Sequence, residues 1–180
     1  MSIKQAEIGL VFFNFNYLWV NKSMSKQSVE GYLSTQLFFT GIDAGFLKFL
    51  VNSSSELKIQ KGDVLFRQGE LADKFYFLRN GRMSIQIPAI MGPSLEIQEL
   101  GGNQVLGWSW LIPPYSWNFQ ARAMEDTNLI EFDGSKILAH CEQDPKFGYE
   151  LFKIFAALMS ERLDAARQKM MDQWNPAGFA

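Results

Sequence analysis

The sequence predicts a mainly β protein, an antiparallel jelly-roll barrel with flanking helices and a long C-terminal helix. Apolar residues alternate with period two through short segments between Glu56 and Phe132, and many short strands at a spacing of roughly 8–12 residues read as a jelly roll or barrel. One unbroken helical pattern follows Asp144-Pro145, where Asp caps and Pro takes the first helical position. The 180 residues are 47% hydrophobic and 20% charged. That is enough apolar material for one packed core and too much for a disordered chain.

Residues 1–27 form an N-terminal extension of different texture, and residues 28–180 form the barrel domain. The apolar run from Ile8 to Val20 is interrupted by Asn14 and Asn16, and it falls short of the ~20 apolar residues of a membrane span. Lys4 is offset by Glu7, and no small-x-small site follows, so the run does not read as a secretory leader. The expected location is therefore cytoplasmic, with no membrane partner. Met24-Ser25-Lys26-Gln27 reads as a polar start just ahead of the domain. A chain beginning at Met24 is expected to melt cooperatively and to be at least as soluble. It sheds the β-prone window of Phe12, Phe13, Phe15, Tyr17 and Trp19. Loss of the cooperative transition in a thermal melt would instead place that window in the core.

Asp43 is a suitable N-cap for a helix whose Phe46, Leu47, Leu50 and Val51 share one face before Asn52-Ser53-Ser54-Ser55 ends it. From Glu56 the period changes to two. Leu57 and Ile59 alternate with polar neighbours up to the turn Lys61-Gly62-Asp63, and Val64–Arg67 makes a second strand closed by Gln68-Gly69-Glu70. Phe75–Leu78 and Met83–Ile87 flank Asn80-Gly81, a pair that predicts a type I′ hairpin with positive φ at both central residues. Pro88 and Pro93 bound the next loop, Leu95–Leu100 alternates cleanly, and Gly101-Gly102 turns the chain. Trp117–Met124 and Asn128–Phe132 complete the strands.

The terminal helix spans about 145–174. Leu151, Phe155, Leu158, Arg162, Ala165 and Lys169 form one stripe, with Phe147, Phe152, Met159, Leu163 and Met170 beside it. This apolar surface exceeds one packing face, so the helix is expected to sit on the barrel at its start and on a partner helix further on. The stripe through Leu158 would then carry a homodimer contact. A helix lying wholly on its own barrel is the alternative.

Several function classes are excluded. With 17 Lys and Arg against 19 Asp and Glu, the chain lacks the basic footprint of a nucleic-acid binder. Cys141 is the single cysteine, which forbids an intrachain disulfide or thiolate metal cluster and suits a reducing cytosol. His140 is the single histidine, which rules out sites built on two or three imidazoles. His140 and Cys141 are sequence neighbours, so on a helix they diverge by about 100° and cannot act as a nucleophile–base pair. Glu70 and Asp73 read as turn chemistry, and no Gly-rich Walker or dinucleotide motif is present. No catalytic residue, metal site or cofactor is expected, and the chain is not read as an enzyme.

The unusual segment is Gly107–Asn118, GWSWLIPPYSWN, which holds three of the five tryptophans. Aromatic side chains this dense between strands mark a lined pocket or an interface, with plain core filling as the competing reading. A helical turn at Ser109–Ile112 would offer N–H groups to an anion. The candidate ligand-binding residues are Gly107, Trp108, Ser109, Trp110, Trp117 and Asn118.

The run from Lys61 to Glu70, with Asp73–Leu78 and Gly81-Arg82-Met83, resembles the first half of a cyclic nucleotide-binding domain of the catabolite-activator type. The likeness continues through Leu100-Gly101-Gly102, Leu106-Gly107, Ala121-Arg122-Ala123 and Asp144-Pro145, over about residues 33–174. It implies a jelly roll enclosing a phosphate-binding cassette, with a terminal helix that often pairs in a dimer. The family's cassette is Gly-Glu-Leu-Ala followed by Pro-Arg-Ala, its Glu gripping the ribose hydroxyl and its Arg the cyclic phosphate. Here Trp108 stands in the Glu position and Trp117 in the Arg position, while Arg122 matches an arginine that is structural in the family. The Gly-Trp-Ser-Trp-Leu pattern resembles a bacterial subgroup of short, single-domain members, many of which carry an Arg where this chain has Ser116.

By this resemblance the chain is a stand-alone regulatory or sensor domain with a degenerate cassette. Its partner would be a small anionic or nucleotide-like ligand other than cyclic AMP, or none, and it would form a homodimer through the terminal helix. Two alternatives stay open: a DNA-binding regulator that lacks or borrows its helix-turn-helix, and an interaction adaptor whose pocket is filled. Direct DNA binding is not expected, because only six residues follow Trp174 and such a module needs further helices. A cupin-like enzyme on a similar barrel is disfavoured by the lone His140.

Overall fold

The computed structural model describes residues 26–174, so the expectations for residues 1–25 lie outside the described residues. Two four-stranded antiparallel sheets pack face to face, which is the jelly-roll arrangement. One contains, in spatial order, β1 (Ser54–Ile59), β8 (Thr127–Asp133), β3 (Lys74–Asn80) and β6 (Val105–Leu106). The other contains β2 (Val64–Phe66), β7 (Gln120–Ala123), β4 (Met83–Ile87) and β5 (Leu95–Leu100). Four helices flank them: α1 (Lys26–Ser34), α2 (Ala44–Asn52), α3 (Gly134–Gln143) and α4 (Pro145–Trp174). The mainly β barrel with a long C-terminal helix is as expected.

Strand β3 shows why the sheets hold together. Phe75, Tyr76, Phe77 and Leu78 are all buried, which on a strand means that both faces are covered. Tyr76 turns toward Phe66 of the opposite sheet, at 6.2 Å between ring centroids. Phe75 turns the other way, lying parallel to its register partner Phe132 at 4.4 Å and edge-on to Phe155 of α4 at 5.2 Å. Asp43 caps α2 by accepting from the Gly45 N–H at 2.8 Å. Asp144 caps α4 through the N–H groups of Lys146 and Phe147, each at 3.1 Å.

Two expectations are corrected. The Asn80-Gly81 pair does not close a hairpin, because β3 and β4 belong to different sheets. Gly81 has φ +94°, but Asn80 stays extended within β3 and ties its side chain to Asn128 across the ladder at 2.7 Å. The glycine is needed at a sheet-to-sheet corner, where a Cβ would stand 2.7 Å from the Thr127 backbone. The real hairpin joins β4 to β5 around the 88–94 loop.

The second correction concerns α4. Leu151, Phe155, Leu158 and Arg162 are buried against the chain's own barrel, and Ala165 and Lys169 are exposed. The stripe through Leu158 is therefore an intramolecular contact. Sequence spacing identifies a shared face but not the body it faces.

A cavity between the barrel and the terminal helix

Beyond β6 the chain enters the tryptophan-rich segment. Gly107 has φ +92°, and a Cβ there would lie 2.8 Å from the Trp117 ring. Only glycine combines that backbone with that approach. Trp117 is buried, stacked on Phe66 at 3.8 Å and 12° between ring planes. Its backbone is held by the Gln68–Glu70 turn: its N–H donates to the Glu70 carbonyl at 3.0 Å, and its carbonyl accepts from Gly69 at 2.8 Å. These contacts keep Trp117 and Asn118 ahead of β7, so the strand is shorter than the alternation predicted.

Ser109–Leu111 form a single 3-10 turn, closed by the Leu111 N–H on the Trp108 carbonyl at 3.0 Å. Successive side chains on such a turn diverge by about 120°, and this separates the two tryptophans. Trp108 is half-buried and faces a cavity of about 260 Å³. Trp110 is 1% exposed and points into the core, stacked on Phe75 at 5.2 Å. Gly134 packs against its ring so closely that a Cβ there would stand at 2.7 Å. Among the six candidate residues, Gly107, Trp108, Ser109, Trp117 and Asn118 line the cavity, and Trp110 does not. Its indole is core filling that pins the turn to the barrel.

The rest of the wall comes from residues that the sequence reading did not group with the segment. Ile85, Ile97 and Leu100 face the cavity from the second sheet, and Met159, Arg162, Leu163 and Ala166 from α4. The Lys169 amine donates to the Ile97 carbonyl at 2.9 Å, holding the far half of α4 beside β5. Among the described residues the lining is mostly apolar and contains no carboxylate. Its one charged group is Arg162, 8% exposed, whose Nη2 donates to the Val105 carbonyl at 3.4 Å. Arg162 was legible only as a charge that interrupts the apolar upper part of its stripe.

The remaining candidates resolve as ordinary structure. Arg122 donates to the Gly62 carbonyl at 2.6 Å, away from the cavity. Glu70 accepts from the Arg67 N–H of its own turn at 2.7 Å. His140 stacks on Phe49 at 4.0 Å, and burial pushes the Cys141 thiol above its ordinary pKa, which suppresses the thiolate. Among the described residues no cluster of His, Cys, Asp or Glu could hold a metal ion, and no helix is long and apolar enough to cross a membrane.

Comparison with known proteins agrees with this fold. The family model of the cyclic nucleotide-binding domain matches residues 56–144. A Rhodopseudomonas palustris protein named for potassium-channel function is 24% identical over 117 residues, which cover 64% of this chain but only 28% of that relative. A Geobacter metallireducens protein named for cyclic nucleotide binding has a similar solved structure, with TM-score 0.67, 22% identity, and coverage of 78% of this chain and 98% of that one. The sensor domain of the transcriptional regulator DNR from Pseudomonas aeruginosa follows at TM-score 0.63 and 20% identity, covering 77% and 93%.

Proposed function

We propose, from the match of residues 56–144 to the cyclic nucleotide-binding domain family, that the chain is a non-catalytic sensor whose cavity takes a small ligand other than a cyclic nucleotide. The observation that carries this reading is the position of Trp117. Its ring is stacked on Phe66 and packed onto Gly107, where the family resemblance calls for a phosphate-binding arginine. A forked guanidinium contact gives a phosphate two charge-assisted hydrogen bonds, and an indole gives none. The ~260 Å³ of open space favours a ligand site over a pocket filled by its own side chains.

The same reading includes a homodimer, on a different face of α4 from the one the stripe suggested. Tyr149, Phe152, Ala156, Met159, Leu163, Ala166 and Met170 follow one another at alternating steps of three and four, the heptad spacing of a paired helix. Tyr149, Phe152, Leu163 and Met170 are 63%, 41%, 71% and 62% exposed, so these four seam residues are left largely uncovered by the chain's own barrel. Because Met159, Leu163 and Ala166 also border the cavity, a paired α4 would sit over its mouth, a suitable route from ligand to assembly in a cytosolic regulator.

A thermal-shift screen of diverse small molecules tests the sensor reading. A true site stabilises by mass action, about 2.7 kcal/mol at a ligand concentration of 100 times Kd. At least one class of compound is expected to raise the melting temperature, the shift growing with the logarithm of its concentration above Kd. A flat response across classes, with cyclic AMP alone shifting the melt, would overturn the reading.

A further inference from the structure

We propose that the occupant of the cavity is an anion with a flat apolar body, and that Arg162 on α4 makes the charge-matching contact. The inference rests on the cavity being a ligand site and adds the chemistry of the ligand. Arg162 is more than nine-tenths buried and lines the cavity. A guanidinium carries five donors and stays protonated in proteins, yet among the described residues this one makes a single long bond, 3.4 Å to the Val105 carbonyl. Its buried Nε has no hydrogen-bond partner among the described residues.

No ion pair of Arg162 with a carboxylate is found among the described residues. Burial pushes its pKa down, and the nearby charge of Glu161 acts in the opposite sense. A buried charge without a counter-ion is among the least favourable arrangements in a protein. Supply of the missing negative charge by a ligand resolves it.

The remainder of the wall defines the ligand's body. Phe66, Ile85, Ile97, Leu100, Trp108 and Trp117 present aliphatic and aromatic surface, and no carboxylate stands there to accept a sugar hydroxyl or pair with a cation. An aromatic acid fits this wall. Carboxylate and phosphate share the required charge and acceptor geometry, and the choice between them is left to experiment.

The test is calorimetric titration of the full chain with 1-naphthoate, 1-naphthyl phosphate and the neutral 1-naphthylmethanol. The protein is compared as wild type, Arg162→Lys and Arg162→Met. An anionic probe is expected to bind at least about tenfold tighter than the neutral one, the equivalent of one charge-assisted contact. Whichever anion leads assigns the head group. Arg162→Met should erase the ratio while keeping neutral binding, and Arg162→Lys should keep part of it, since an ammonium retains charge but not the fork.

Ligand-free Arg162→Met should melt no lower than wild type, because an unpaired buried charge is removed. Equal affinity for anion and alcohol in wild type, or a ratio that survives Arg162→Met, overturns the proposal and leaves the cavity reading standing. A lower melt with an unchanged ratio would make Arg162 a structural tie to Val105. Absence of binding by all three probes to every variant would overturn the cavity reading, and the proposal with it.

Discussion

Leu158→Glu is expected to abolish the cooperative melt, whereas Leu163→Glu keeps the melt and shifts the sedimenting species from dimer to monomer. The two residues lie five apart on the same helix, one buried and the other largely exposed. Leu158 is 7% exposed and Leu163 71% exposed. A glutamate at 158 would lose the leucine's packing and bury a carboxylate without a partner. Each of those mechanisms costs several kcal/mol, together comparable with the roughly 5–15 kcal/mol that holds a whole domain.

A glutamate at 163 stays in water in the monomer and meets its symmetry mate across a two-fold helix pair, where like charges oppose. Thermal melts by circular dichroism and sedimentation velocity on both variants decide the matter. A folded, monomeric Leu158→Glu would restore the stripe through Leu158 as the dimer face. Wild type that sediments as a monomer at high concentration would remove the dimer altogether.

The contrast also shows where sequence reading stops. Period-two alternation located most strands because burial of one face leaves a direct trace in residue order. The two-residue β6 leaves too short a trace to read. Among the described side chains of helix α1, Val29 and Leu33 are the fully buried ones, so its apolar signal is too faint to read. Asn80-Gly81 correctly marks a turn, but the dipeptide cannot specify whether the next strand joins the same sheet. Likewise the α4 stripe was visible, while the choice between barrel and partner depends on the three-dimensional path of the helix.

At the site, the density of tryptophans and Gly107 located the segment. Separation of Trp108 from Trp110 required the turn geometry. The place of Arg162 on the cavity wall was not legible, because Val105 and Arg162, 57 residues apart, meet only in the fold.

Trp108→Glu combined with Trp117→Arg is expected to raise the affinity for cyclic AMP by at least about tenfold over the unmodified chain. This double change supplies a carboxylate for the ribose hydroxyl and a fork for the phosphate, contacts worth roughly 1.5–3 kcal/mol each when charged. Trp117→Arg alone should chiefly destabilise, since it breaks the stack on Phe66 and buries a charge without its partner.

The unmodified cavity offers cyclic AMP much less. Arg162 could attract the phosphate, but the adjacent ribose hydroxyl would meet a wall without a carboxylate, and an unsatisfied buried hydroxyl costs about 1–3 kcal/mol. Isothermal titration of cyclic AMP into the unmodified full-length chain therefore tests the central claim most directly. The expected result is no binding tighter than about millimolar, a standard free energy near −4 kcal/mol. Saturable binding in the micromolar range would contradict it, and would mean that other groups of this cavity have taken over the work of the missing glutamate and arginine.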